Sequence, residues 1–399
     1  MDNYKYCLLR MVNAEANNNK DYEMVQTSEQ TFEVHYGRVK SSKMVKAYDM
    51  SVWDSIYEQK IQKGYIDVTD TINAVIQEQS MYKEIENDEI RHLIDELLRY
   101  ANEYVEKTYK ISKHEVTQQM FSIADGYIQE LGVCKENISL HSFNAVLQKL
   151  FTIIPRKMED VSAYLAFRPD EMAGIIQREQ KNLSVLRSVC EISCKDICPE
   201  TNKETILESF GLSVSEVTEK ELSDITQKLG SESSGHLKKA YRIMQKDLEE
   251  RHNKYLEENE ITEENETLLW HGTRNECIWP IMKTGLLLNP GVAINGKMFG
   301  QGLYFAPRAK KSLGYTSLRG SVWARGTSNR GFMFVMNVAY KDPEHVKDWH
   351  PWMGHLNEKE IKKRGHDALY AHAGGSLVND EIIVYNEAAC VPRYLLVLE

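Results

Sequence analysis

No apolar run in the 399-residue chain approaches the roughly 18 residues that crossing a bilayer requires, so no membrane-spanning helix is expected. The first residues, Met1-Asp2-Asn3-Tyr4-Lys5, lack the basic start, apolar stretch and small-residue cleavage site of a secretion signal, which points to an intracellular protein. Cysteine is sparse and unpaired: seven residues without disulfide-type spacing suit a reducing compartment. Cys190, Cys194 and Cys198 recur every four residues and would share one helix face. Pro199 and Glu200 follow them where a metal site needs further Cys or His, so no metal is expected there. A net charge of −10 excludes a protein whose whole surface coats nucleic acid, although one local basic patch stays compatible with it. Internal repeats and low-complexity tracts are absent.

What is present suffices for two or three packed domains: 42% hydrophobic and 27% charged residues over this length. Residues 1–75 mix short β-type runs, Tyr4–Met11, Thr31–Val39 and a run before Trp53, with a turn read at Asn17–Asp21. From about 80 to 195 the period becomes helical. Ile90, Leu93, Ile94, Leu97, Leu98, Ala101, Tyr104 and Val105 form one apolar stripe. Ser112 to Glu115 reads as a capping box for a second helix, and a third carries Phe143, Val146, Leu147, Leu150 and Phe151 before Pro155. Short connections between such stripes predict a helical bundle. From 200 to 399 glycines cluster and strands return, at Leu268–His271, Gly302–Ala306, Phe332–Tyr340, Glu381–Tyr385 and Tyr394–Leu398, predicting an α+β domain. The acidic stretch Glu257–Glu266 reads as a solvated linker.

Four segments of the last region can carry chemistry. Leu268-Leu-Trp-His-Gly-Thr-Arg274 ends a strand in an imidazole followed by an approachable glycine backbone. Asn295-Gly-Lys-Met-Phe-Gly-Gln-Gly-Leu-Tyr-Phe-Ala306 sets three glycines before an aromatic strand, without the Gly-Lys-Ser/Thr of a phosphate loop or a GxGxxG leading into a helix. Lys311-Ser-Leu-Gly-Tyr315 brings a hydroxyl and a ring close together. Asn379-Asp-Glu-Ile-Ile-Val-Tyr385 opens an apolar strand with carboxylates, and a carboxylate there is costly unless something pairs with it.

In this order, the segments resemble the catalytic domain of the poly(ADP-ribose) polymerases, which carries a His, a Tyr and a Glu on three strands; the match covers about residues 200–399. The resemblance implies NAD+ as co-substrate and no metal. It implies that His271, Tyr304 and Glu381 are catalytic, with His271 on the adenosine-side ribose and Glu381 on the 2′-hydroxyl of the nicotinamide ribose. Gly272 backbone and the Ser312 hydroxyl would hold the carboxamide, Tyr304 and Tyr315 would sandwich the nicotinamide, and Thr273 and Gly302 belong to the same NAD+ set.

The remainder is similar to other parts of that family. Residues 80–195, with Leu150-Phe-Thr-Ile-Ile-Pro155, resemble its helical regulatory domain. Residues 1–75 resemble a WGR domain in which Tyr36-Gly37-Arg38 replaces the name-giving Trp-Gly-Arg. That module carries nine Lys and Arg against eleven Asp and Glu, yet Arg38, Lys40, Lys43 and Lys46 occupy a window without acids. Tyr36, Arg38, Lys40, Lys43 and Trp53 are therefore the candidates for DNA contact. The expectation is a multidomain α+β polymerase, stimulated by DNA breaks, that modifies proteins including itself. It would act as a monomer, nuclear in a eukaryote or cytoplasmic in a bacterium. Single-unit transfer to protein or DNA ends, and an inactive DNA-end scaffold, are the alternatives.

Overall fold

The computed structural model describes residues 5–14, 16–39, 43–69, 82–111, 113–133, 139–194, 204–231, 233–288 and 298–399. The chain divides into two units, Met1–Gln79 with Tyr104–Lys195, and Ser80–Glu103 with Asp196–Glu399.

In the first unit, β1 (Tyr6–Asn13), β2 (Asn18–Gln26), β3 (Thr31–Arg38), β4 (Met44–Asp49) and β5 (Ile66–Asp67) form an antiparallel sheet of order β4-β3-β2-β1-β5. The helix α1 (Trp53–Gln62) lies on it through Trp53, which packs edge-on to Phe32 beside Leu9, Met24 and Val34. The expected turn at 17–21 is shorter than the sequence reading. Asn17 takes a left-handed φ of 45°, and Asn18 already pairs with Asn13. The polar residues after it serve the strand's buried face. Asp21 meets Arg10 at 2.6 Å, and Asn19 donates to the Arg156 carbonyl.

Helices follow as the apolar stripes require: α2 (Asp88–Thr108), α3 (Gln118–Val133), α4 (Leu140–Ile153) and α5 (Met172–Cys194). The stripe Ile90, Leu93, Ile94, Leu97, Ala101 and Val105 is buried along α2. The second helix begins later than the expected box. Thr117 caps it by accepting from the Met120 amide, while Ser112 lies outside the described residues. Ser139 caps α4, which stops before Pro155 because the residue preceding a proline is pushed out of the helical region.

The second unit holds α6 (Ile206–Ser209), β6 (Leu212–Glu216), α7 (Glu219–Leu229), β7 (Leu237–Gln245), α8 (Lys246–Glu258), β8 (Glu266–Gly272), α9 (Ile278–Thr284), β9 (Leu303–Phe305) and α10 (Ala309–Leu313). These are followed by β10 (Gly331–Ala339), β11 (Pro343–Val346), α11 (Glu358–Lys363), β12 (Ala368–Ala371), β13 (Glu381–Val384) and β14 (Cys390–Leu398). They build two sheets, of orders β6-β7-β14-β10-β8 and β11-β12-β13-β9. Every residue of β10 is buried, as suits a central strand whose sequence is apolar but for Asn337. The sheets join where Trp270 and Ala306 exchange backbone hydrogen bonds of 3.0 and 3.1 Å. That junction sets β8, β9 and β13 side by side. The acidic stretch is not all linker: its last residue, Glu266, begins β8 and accepts from Asn337.

Candidate active site

β8 pairs with β10 as far as His271 opposite Phe334 and Gly272 opposite Met333. The strand then meets α10 at very close range. A Cβ added to Gly272 would lie 1.8 Å from the Ser312 carbonyl oxygen, so only glycine fits. Ser312 is buried, and its hydroxyl donates to the Trp270 carbonyl at 3.0 Å. Its one proton is thus engaged, and its lone pairs remain for a ligand N–H.

Tyr304, in the middle of β9, is fixed at both ends. Its carbonyl accepts from His271 Nδ1 at 3.3 Å, which orients the imidazole. The Tyr304 hydroxyl accepts from the Phe299 amide at 3.2 Å and donates to the Gly300 carbonyl at 3.0 Å. The Tyr385 hydroxyl in turn donates to the Phe299 carbonyl at 2.8 Å. Gly302 is forced by neighbours, since a Cβ there would sit 2.1 Å from Ile383. Burial pushes the Tyr304 hydroxyl far above the ordinary phenol range, against the Phe299 amide, and the Glu381 charge adds to the rise.

Glu381 opens β13 opposite Ala371, and Ile383, two residues on, faces Tyr304 across the β13–β9 pair. The period of two therefore places the Glu381 and Tyr304 side chains on one face of the sheet. The carboxylate is paired: Lys311 of α10 meets its Oε1, the two side chains being only 12% and 14% exposed. This explains how a carboxylate tolerates the head of so apolar a strand. The neighbouring Asp380 does different work. Its oxygens accept from the Ala373 amide at 2.7 Å and the Tyr370 hydroxyl at 3.3 Å, so it shapes the turn into β13.

Tyr315, just past α10, is 42% exposed and lies nearly parallel to the ring of Trp323, 6.2 Å between centroids. Burial raises its phenol pKa and the Glu381 charge raises it further. Thr273 is half-buried directly after Gly272. The structure thus brings His271, Gly272, Tyr304, Ser312, Tyr315 and Glu381 into one cluster. The sequence reading gave no role to Lys311. The available signal was its place beside Ser312, in a stretch from 277 to 341 with nine Lys and Arg and no acid.

The DNA-contact candidates fare differently. Trp53 is 3% exposed inside the sheet core, which corrects its place among the DNA-contact candidates. Lys43 bonds Glu23 at 2.9 Å, Arg38 donates to the Asn17 carbonyl at 2.9 Å, and Tyr36 is half-buried with its ring 5.9 Å from that of Tyr22. Lys40 lies outside the described residues. Among the described residues no group of three or more His, Cys, Asp or Glu is arranged to hold a metal. Cys190 is buried; Cys198 and the Cys194 side chain lie outside the description. No described helix is long and apolar enough to cross a membrane.

Residues 219–399 match the family described as the poly(ADP-ribose) polymerase catalytic domain. The chain is 36% identical over 183 residues to "Uncharacterized protein 101L" of Invertebrate iridescent virus 6, covering 46% of this chain and 76% of that protein. It is 32% identical over 162 residues to that virus's "Putative poly [ADP-ribose] polymerase-like 100L", covering 40% and 83%. Human "Protein mono-ADP-ribosyltransferase PARP3" is 26% identical over 159 residues, 33% of this chain and 28% of that protein.

Proposed function

Because the chain belongs to the poly(ADP-ribose) polymerase family of NAD+ ADP-ribosyltransferases, we propose that its reaction runs on the Glu381 carboxylate and that it builds ADP-ribose chains on proteins, itself included. Gly272 backbone and the Ser312 lone pairs hold the nicotinamide carboxamide. Tyr304 and Tyr315 enclose the ring, with Gly302 and Thr273 lining the approach, and His271 binds the adenosine-side ribose. With Oε1 on Lys311, Glu381 offers Oε2 to the 2′-hydroxyl of the nicotinamide ribose.

The chemistry follows from that charge. The C1′–nitrogen bond breaks with its electron pair leaving on nicotinamide, and the ribose gains oxocarbenium character. A fixed carboxylate stabilises that cation more than it stabilises NAD+, whose ribose is neutral. An acceptor oxygen then attacks C1′ and its proton passes to the Glu381 carboxylate. The observation that carries this reading is the paired, mostly buried carboxylate sharing a sheet face with Tyr304.

Single-unit transfer is the second reading, favoured by the similarity to a human protein mono-ADP-ribosyltransferase. Gel analysis with labelled NAD+ separates them: a ladder supports chain growth, a single shifted band the alternative. DNA breaks are the proposed activator, acting through the β3–β4 edge with Arg38, Lys43 and exposed Lys46 rather than through Trp53. NAD+ turnover with and without nicked or blunt DNA tests this. The proposed setting is an intracellular monomer, nuclear in a eukaryote or cytoplasmic in a bacterium.

A further inference from the structure

Trp323 is anomalous. It is 65% exposed, more than any other described Trp, Tyr or Phe of the second unit, so it is not held in place by burial. Its position is nevertheless fixed by three contacts. The Trp323 and Ala324 amides both donate to the Gly314 carbonyl at 2.9 Å. The indole edge rests on Gly314 itself, where an added Cβ would come within 2.8 Å of Trp323 Cδ1. The indole plane stands 20° from the Tyr315 ring, 6.2 Å between centroids.

The loop that presents Trp323 is itself pinned. Arg274 donates to the Ala324 carbonyl at 2.9 Å, the Gly326 amide to Ser321 Oγ at 2.7 Å, and the Arg319 amide to the Ser328 carbonyl at 2.7 Å. Arg274 follows directly on the His271-Gly272-Thr273 strand end, so the loop and the site share one anchor. A solvated tryptophan held at this angle against one neighbour limits how that neighbour's ring can turn.

We propose that Trp323 is a positioning residue: it backs Tyr315 and so fixes the plane on which the nicotinamide ring of NAD+ stacks. The inference rests on the reading of Tyr315 as a stacking residue given above. Before cleavage the nicotinamide is a pyridinium cation, and a fixed electron-rich ring attracts it as well as covering it. A Tyr315 free to rotate must be ordered on binding, which weakens NAD+ affinity while leaving Glu381 and the bond-breaking step untouched.

The test uses the full chain and steady-state NAD+ turnover. Trp323→Ala raises KM for NAD+ about fivefold, the factor that one aromatic contact is worth, with kcat within about twofold. Trp323→Phe restores most of the affinity, since a ring at that place is enough. Gly314→Ala, which keeps both rings but forces them apart, reproduces the KM increase; melting curves identify any variant that fails to fold, and Trp323→Phe against Trp323→Ala then decides alone. Unchanged KM in Trp323→Ala, or a loss of kcat equal in the Phe and Ala variants, overturns the proposal. So does a defect confined to acceptor modification, which assigns the exposed indole to the acceptor instead. A wild-type chain without NAD+ turnover fails the functional reading itself, a result distinct from all of these.

Discussion

Lys311 and Glu381 form an ion pair in which each side chain is more than four-fifths withdrawn from solvent. Two elements are joined by it, the short helix that also carries Ser312 and the strand that also packs on Tyr304. Removing one partner strands the other charge in a partly buried place, which is costly. Lys311→Met is expected to lower kcat about tenfold and to destabilise the second unit, while Lys311→Arg retains the pair and most of both. Turnover and melting temperature measured together check this; a Met variant with wild-type values in both contradicts it.

Gly272 and Ser312 give a steric prediction. With 1.8 Å between a new Cβ and a backbone oxygen, no side-chain rotation relieves Gly272→Ala. The strand end and α10 must separate, at a cost of about 3 kcal/mol or more. A clear fall in melting temperature with loss of NAD+ binding is expected, and calorimetry on the variant measures both.

The Tyr304 hydroxyl serves two backbone groups at once. Tyr304→Phe keeps the ring but leaves the Phe299 amide and the Gly300 carbonyl without it, a loss of about 1–3 kcal/mol. Burial also keeps this hydroxyl protonated well beyond the ordinary phenol range, so alkaline difference spectra of wild type and Tyr304→Phe should coincide through pH 11. An added phenolate signal from Tyr304 below that pH contradicts the described burial.

Glu221 supplies a pH dependence. Its carboxylate accepts from the Thr218 amide, from Arg242 and from the Tyr394 hydroxyl, and these hold it down to about 2 from an ordinary 4.5. A carboxylate depressed in the folded state adds stability above its unfolded value and loses that stability as pH falls through the window from 4.5 toward about 2. The melting-temperature gap between wild type and Glu221→Gln should therefore be full at pH 7 and shrink as pH drops below 4.5. A gap that stays constant with pH removes the ionic part of the explanation.

Much of this architecture was legible because periodicity and cost are local properties of the chain. The α2 stripe had the period of a helix, and the mostly apolar run of β10 had the length and composition of a buried strand. The carboxylate of Glu381 stood out because it opened an apolar strand. Other features depend on partners that no local pattern names. The turn at 17–21 was misjudged because Asn19 and Asp21 look like turn residues until Arg10 and the Arg156 carbonyl supply their buried partners. Asp380 directly precedes Glu381, and its separate work shows only in its partners Tyr370 and Ala373. Trp53 is a DNA-contact candidate in sequence, yet its neighbours Phe32 and Met24 make it core.

In the proposed mechanism the carboxylate at 381 acts at the transition state rather than in NAD+ binding. Glu381→Gln preserves size and leaves Lys311 an acceptor but no counter-charge, so a lower melting temperature is expected while the fold and NAD+ affinity persist. The decisive measurement pairs NAD+ consumption with calorimetric NAD+ binding for this variant. Consumption should fall by ~10²–10⁴ with the dissociation constant near that of the wild type. Turnover close to wild type would contradict the central claim, as would a variant whose only defect is weaker binding.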